Sequence, residues 1–109
     1  MLMEDIYRAI DQSRCFVMIL SDNIDQQKEN EEFHPYRQEW DRAQLQNVGR
    51  GGGFCRPICL NGYNVNEGWF KKIIPLWVKE LDCWPNHKGM DGSLEAFAED
   101  VYNSLNGNE

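Results

Sequence analysis

The sequence predicts an α/β domain in which helices flank a parallel sheet, and three observations support this prediction. Residues 15–20 form an uninterrupted apolar run, which is typical of a strand buried on both faces. Segments with helical spacing of apolar residues precede and follow that run. Helical and strand-like segments then alternate along the chain, as in folds with a parallel sheet. With 109 residues, the chain has room for a single domain.

The first half of the chain contains two predicted helices and the apolar strand between them. Residues 5–13 have the spacing of a short amphipathic helix. The strand ends at Ser21, which begins a run of turn-forming residues. Residues 24–33 are polar and acidic, so we expect a loop or the frayed start of a helix. Residues 36–48 then predict a helix with one apolar face, and the glycine-rich residues 49–53 end it.

The second half begins with a strand and ends with the clearest helix of the sequence. Residues 54–60 predict a strand, although Pro57 is unusual in the interior of a sheet. Residues 63–72 indicate an irregular or weakly helical segment, and residues 73–78 a short strand or an apolar loop. Residues 94–105 carry apolar side chains at helical spacing, with Ser93 as the N-cap and Gly107 just past the end.

Charge and hydropathy argue against nucleic-acid and membrane partners. The formal net charge is −7, and the only adjacent basic pair is Lys71-Lys72. Such a balance repels a phosphate backbone. No apolar run approaches the length of a membrane span. The first residues include no basic region and no apolar signal core, so we expect a cytoplasmic protein.

The four cysteines raise the question of a zinc site. Cys55 and Cys59 are spaced like paired ligands, as are Cys83 and His87. Cys55 and Cys59 belong to one predicted strand, however, which would place them roughly 13 Å apart and too far apart to bind the same ion. We therefore expect no metal site and reduced thiols.

Three segments together resemble the Toll/interleukin-1 receptor (TIR) domain family. Residues 6–23, IYRAIDQSRCFVMILSDN, resemble the helix and central strand in the middle of that domain. Residues 35–43, PYRQEWDRA, resemble a helix motif of bacterial members, in which a glutamate is followed four positions later by alanine. Residues 55–60, CRPICL, are similar to the following strand of the family, where a proline is common.

The resemblance implies a flavodoxin-like fold and a single, partial TIR-like domain over residues 1–109. It extends from Ile6 to Leu105 and corresponds to the later part of the family's domain. The family's first strand, first helix and second strand have no counterpart in these residues. A buried parallel strand needs neighbours on both edges, so we expect N-terminal strands of the domain to be missing.

The resemblance also implies an activity. Many TIR domains cleave the nicotinamide–ribose bond of NAD+, and the helix motif places the family's catalytic glutamate at Glu39. NAD+ would be the substrate, with no further cofactor. Ser21 and Trp40 are candidates for contacts with the nucleotide, although Ser21 also fits a simple turn and Trp40 a core position. A competing alignment starts the motif at Trp40 and puts Gln44, which has no charge, at the catalytic position.

Two other functions remain compatible with the same residues. The chain could be a non-catalytic TIR module that assembles with other TIR domains, or an inactive truncated fragment. Glu39 at the motif position supports catalysis in signalling or phage defence, whereas Gln44 there supports the interaction module.

Overall fold

A computed structural model of the chain describes residues 3–26, 35–70 and 74–107. Within these ranges it shows an α/β fold with a two-stranded parallel sheet and helices, which confirms the predicted fold class at this level. The elements, in chain order, are α1 (Met3–Gln12), β1 (Phe16–Leu20), α2 (Asp22–Gln26), α3 (Pro35–Gly49), β2 (Cys55–Cys59), α4 (Val65–Phe70), α5 (Leu76–Lys79) and α6 (Leu94–Leu105).

The sheet is parallel, as the alternation of helices and strands predicts. Phe16 of β1 lies opposite Cys55 of β2, and Leu20 lies opposite Cys59. A third segment joins the free edge of β2 through a single parallel bridge between Ile58 and Trp84. The described strands and this bridge thus follow the order β1, β2, Trp84.

Pro57 occupies the middle of β2 without leaving a hydrogen bond unmade. Every second residue of the β2 segment bonds to β1, and Pro57 is not one of them. Phe54 O accepts from Phe16 N at 2.8 Å, and Leu60 N donates to Leu20 O at 2.9 Å. The backbone nitrogen of Pro57 therefore faces the other edge. At that edge, the parallel bridge to Trp84 uses the carbonyl of Pro57, which accepts from Trp84 N at 2.9 Å. A proline is tolerated where no ladder donor is required.

One face of the sheet supplies most of the hydrophobic core. Met18 and Leu20 are 1% and 0% exposed on this face, and α1 and α3 pack beside it. The buried residues of this core cluster are Ile10, Met18, Leu20, Ile24, Trp40, Ala43, Phe54, Cys55, Tyr63, Ile74 and Val78. Burial of this apolar surface is the main source of stability that these elements share.

The opposite face is covered only in part, which corrects the prediction that β1 is buried on both faces. Ile58 of β2 is fully buried there, and Arg56 reaches Ser104 of α6 with its guanidinium. Val17 and Ile19 of β1 are 41% and 53% exposed. The apolar run without alternation therefore correctly predicts a strand, but it does not show that both faces of this strand are buried.

The last helix agrees closely with its prediction. α6 spans the predicted residues, Ser93 accepts a hydrogen bond from Ala96 N at 3.1 Å, and Gly107 has a positive φ of 73° just beyond the end. Its inward face is narrower than its sequence pattern indicates. Phe97 is buried, whereas Leu94 and Tyr102 are 54% and 64% exposed.

Three short helices were predicted incompletely or not at all. The sequence indicates a short strand or an apolar loop at residues 73–78; Ile74 and Pro75 are irregular and Ile74 is buried, as the loop alternative predicts, but from Leu76 onwards that prediction is wrong because α5 forms a helical turn. α4 forms within the stretch predicted as irregular or weakly helical. α2 begins among the predicted turn residues and continues into the stretch predicted as a loop or a frayed helix start. Residues 27–33 of that stretch and residues 71–73 lie outside the described residues. None of the described helices is both long and apolar enough to cross a membrane.

Candidate functional site

The carboxyl ends of the two parallel strands define the edge at which a ligand site is expected. β1 ends at Leu20 and β2 at Cys59, and these residues are register partners. Ligands of open α/β sheets bind outside this edge of the strands. Ser21 follows β1 directly and is half-buried, with its backbone carbonyl accepting from Ile24 N at 3.0 Å. Ser21 thus lies at the predicted edge and also takes part in a turn.

The end of α3 is attached to the start of β2. The side-chain oxygen of Asn47 accepts from Phe54 N at 2.9 Å and from Cys55 N at 3.0 Å. Glu39 precedes Asn47 by about 12 Å along a regular helix, and β2 rises by about 13 Å. Glu39 is half-buried. A location of Glu39 at the carboxyl ends of the strands stays a prediction, which these similar lengths allow.

Trp40 and Gln44 occupy different environments on the same helix. Trp40 is 6% exposed and packs in the core beside Ala43, so its side chain contributes to packing. A contact between Trp40 and a nucleotide stays a prediction. Gln44 is half-buried, like Glu39. The described contacts therefore leave both alignments of the catalytic position open.

A polar network fixes α3 against α1. Arg42 donates through Nε to Asp11 at 2.9 Å, and Gln46 donates to the same carboxylate at 3.0 Å. The hydrogen bond from Arg42 holds the pKa of Asp11 below its usual value. Arg50 adds bonds to the backbone carbonyls of Asp11 and Ser13 at 2.8 and 2.7 Å. The rotation of α3, and with it the direction of Glu39, is thereby set by several contacts.

A pocket of about 640 Å³ opens beyond the carboxyl end of β2. This volume lies in the range of small-molecule sites. Residues of the loop after β2 and of the segment after α5 surround it, including Cys59, Asn61, Lys79, Asp82 and Cys83. Ser21, Glu39 and Trp40 are not among its described lining residues, so the structure does not bring the predicted site residues into this pocket.

Two thiols meet in the wall of this pocket, a feature that sequence reasoning missed. Cys59 and Cys83 both line it, and the Cys83 thiol donates to the carbonyl of Val78 at 3.9 Å. The Cys83 side chain lowers the pKa of Cys59 despite the partial burial of Cys59, and the backbone of Val65 acts in the same direction. The neighbouring Cys59, together with burial, raises the pKa of Cys83. No spacing in the sequence indicates this pair, because a single bridge between β2 and Trp84 brings it together.

Cys55 has the opposite character, although it belongs to the same strand as Cys59. Its Sγ donates to the carbonyl of Ala43 at 3.5 Å, and burial raises its pKa to about 11. The two cysteines lie at opposite ends of β2, as the sequence predicts. In the described part of the chain no group of three or more histidine, cysteine or acidic side chains is arranged to hold a metal ion. His87, the other candidate ligand, is exposed.

Comparisons with protein-family models, with curated proteins and with solved structures find no match to this chain. The resemblance to TIR domains therefore rests on the three sequence segments alone.

Proposed function

We propose that the chain is part of a TIR domain with the flavodoxin-like fold, and that this domain cleaves the nicotinamide–ribose bond of NAD+. Glu39 is the catalytic carboxylate in this proposal. The observation that supports it most is that Glu39 is half-buried on α3, the helix whose end Asn47 attaches to the start of β2. The bacterial helix motif assigns the catalytic role to the same residue.

The chemistry requires a fixed negative charge beside the ribose. When the bond breaks, nicotinamide departs with the bonding electrons and the ribose gains oxocarbenium character. A carboxylate held beside the ribose stabilises that positive charge and can also orient the ribose hydroxyls. The contacts of α3 with α1 and β2 keep such a group in place before the substrate arrives.

The other predicted residues have supporting roles in this proposal. Ser21 would donate its hydroxyl to the nucleotide from the end of β1, where the turn keeps it close to the strand edge. Trp40 would reach the substrate only with the small exposed part of its surface, because the residue is 6% exposed. Its larger contribution is then to hold α3 in place.

The test is NAD+ consumption by the purified chain beside two glutamate variants. Glu39→Gln keeps the size of the side chain and removes its charge, so we expect turnover to fall on the order of 100-fold or more. Glu99→Gln makes the same change on an exposed position of α6 and is the matched control, with activity retained. Chromatographic separation of nicotinamide from NAD+ provides the readout.

The competing alignment predicts no turnover in the wild-type chain, because Gln44 has no charge; a third variant tests whether Gln44 contributes to any turnover that is observed. Gln44→Ala should retain activity if Glu39 is catalytic. Loss of activity in Gln44→Ala together with full activity in Glu39→Gln would contradict the assignment. Absence of turnover in the folded wild-type chain would instead favour the second candidate function.

That second candidate is a non-catalytic module that assembles with other TIR domains. The exposed apolar side chains of Val17 and Ile19 favour it, because they lie at the edge of the sheet that no described strand covers. Exposed apolar surface on a sheet edge is a common site of protein association. Sedimentation over a range of protein concentrations would detect such assembly.

A further inference from the structure

We propose that Cys59 and Cys83 form a dithiol site that reacts reversibly with small-molecule disulfides, in which Cys59 is the attacking thiol and Cys83 the resolving one. The proposed cleavage of NAD+ uses neither cysteine, so this site is independent of it. Both thiols are free in the structure.

The bridge at Trp84 explains why these two cysteines meet. Cys59 N donates to Trp84 O at 2.7 Å, and Trp84 N donates to Pro57 O at 2.9 Å. In a parallel bridge between Ile58 and Trp84, Cys83 lies opposite Pro57. Side chains two residues apart on a strand share one face, so Cys59 and Cys83 project from the same side. This register makes Cys59 and Cys83 diagonal neighbours on one face of adjacent segments.

The pocket gives both thiols access to a reactant. Cys59 and Cys83 are half-buried, and both line the cavity of about 640 Å³ at the end of β2. The described charged side chains around this cavity are Lys79 and Asp82, one of each sign. A small disulfide can therefore approach without a strong net charge to repel it.

The electrostatics assign different roles to the two sulfur atoms. The thiol of Cys83 donates to the carbonyl of Val78 at 3.9 Å, so its proton stays on Cys83. The Cys83 side chain lowers the pKa of Cys59, whereas the pKa of Cys83 is raised by the neighbouring Cys59 and by burial. Since the thiolate is the nucleophile in disulfide exchange, Cys59 attacks first. Cys83 loses its proton only afterwards, when the Cys59 sulfur has become part of a disulfide.

The reaction has two balanced steps. In the first, the Cys59 thiolate attacks one sulfur of a disulfide RSSR, the S–S bond breaks, and RS⁻ departs to leave Cys59 in a mixed disulfide. In the second, Cys83 gives up its proton and its sulfur attacks the Cys59 sulfur, which releases a second RS⁻ and forms the Cys59–Cys83 disulfide. The protein dithiol is oxidised by two electrons, RSSR is reduced to two RSH, and an excess of RSH reverses both steps.

The other cysteines of the chain serve as internal references. Cys55 is 4% exposed, and its burial raises its pKa to about 11. It faces Ala43 of α3 and not the pocket. Cys15 lies just before β1, at the other end of the strands, and also does not line the pocket.

The experiment treats the reduced, folded chain with 2-hydroxyethyl disulfide and maps the products by peptide mass spectrometry with fragmentation. We expect a Cys59–Cys83 link in the wild-type chain and in the matched control Cys15→Ser. Cys83→Ser should stop at a mixed disulfide on Cys59. In Cys59→Ser, the modification of Cys83 should be at least about tenfold slower than that of Cys59 in the wild-type chain. Circular dichroism establishes that each variant is folded.

Three results would overturn the proposal. These are equal labelling of all four cysteines in the folded chain, a link that joins Cys59 or Cys83 to a different cysteine, and mixed disulfides on both residues without a link between them. The wild-type map alone decides the second and third, so the proposal does not depend on the folding of a variant. NAD+ turnover by Cys59→Ser distinguishes the two proposals, because we expect it to equal that of the wild type.

Discussion

The two faces of the sheet differ in how completely they are covered, although the residues of β1 are apolar on both faces. On the face toward α1 and α3, Met18 and Leu20 are almost fully buried. On the other face, Ile19 and Ile58 are register partners in neighbouring strands, yet Ile19 is 53% exposed and Ile58 is 0% exposed. Adjacent strands are about 4.8 Å apart, so this face changes from buried to exposed over the distance between β2 and β1.

The position of α6 accounts for this difference. Its Ser104 bonds to Arg56 of β2, and its Phe97 ring contacts Trp84 beyond β2 with ring centroids 5.9 Å apart. These contacts centre the helix over β2 and the Trp84 bridge. β1 is left with one covered face and one open face. The apolar character of a strand can be read from its own sequence. Which face of the strand is buried depends on where a distant helix packs.

The largest expected effect is that of shortening Ile58. Ile58→Ala removes three methyl or methylene groups beneath α6 and leaves a cavity, so we expect the free energy of unfolding to fall by about 2–5 kcal/mol. Urea denaturation followed by circular dichroism measures this loss. A change below about 1 kcal/mol would mean that α6 does not enclose Ile58 in solution.

Asn47 tests how firmly the helix of the covered face is attached to the sheet. Asn47→Ala removes the acceptor shared by Phe54 N and Cys55 N. Unsatisfied backbone donors in a partly buried setting predict a loss of about 1–3 kcal/mol in the free energy of unfolding. Asn47→Asp retains an oxygen acceptor and is the matched control, with a smaller loss. Equal losses for both variants would show that the two hydrogen bonds do not cause the effect.

The ion pair between α1 and α3 predicts a pH dependence on the same covered face. The pKa of Asp11 in the folded chain is depressed below its reference value of 3.8, mainly by the hydrogen bond from Arg42. A depressed carboxyl pKa stabilises the fold above the unfolded value, and that contribution disappears as the pH falls through the folded value.

Asp11→Asn should therefore be less stable than the wild type at neutral pH, and this difference should shrink below about pH 4. Urea denaturation of both proteins between pH 7 and pH 3 measures it. A difference that stayed constant over this interval would contradict the role of the carboxylate charge. Asp5→Asn is a suitable control, because Asp5 contacts Arg8 within α1 and, among the described residues, forms no ion pair with another helix.

Much of the fold follows from patterns that act over short distances in the sequence. The period of apolar residues and the Ser93 cap define α6, and turn-forming residues bound β1. α5 cannot be predicted in this way, because four residues after Pro75 are too few to display a helical period. The exposure of one face of β1 cannot be predicted either, because this exposure depends on the position of a helix near the other end of the chain.

The candidate site residues also fall into two groups, those that the sequence indicates and those that only the structure brings together. The motif alone suggests Glu39, and the structure adds that this residue is half-buried on α3. Cys59 and Cys83 carry no recognisable spacing, because the bridge at Trp84 unites segments that are distant in sequence. Local chemistry can therefore be predicted from the residues, whereas a pair created by tertiary contact requires the structure.

The smallest expected effect belongs to Ile19, the register partner of Ile58. Ile19→Ala deletes the same atoms from a side chain that already contacts water, so we expect the free energy of unfolding to change by less than about 1 kcal/mol. Urea denaturation at several protein concentrations provides the measurement. If instead the loss approached that of Ile58→Ala and increased with protein concentration, an associating chain would cover this face in solution. That result would remove the contrast between the two isoleucines and favour the interaction module over the hydrolase.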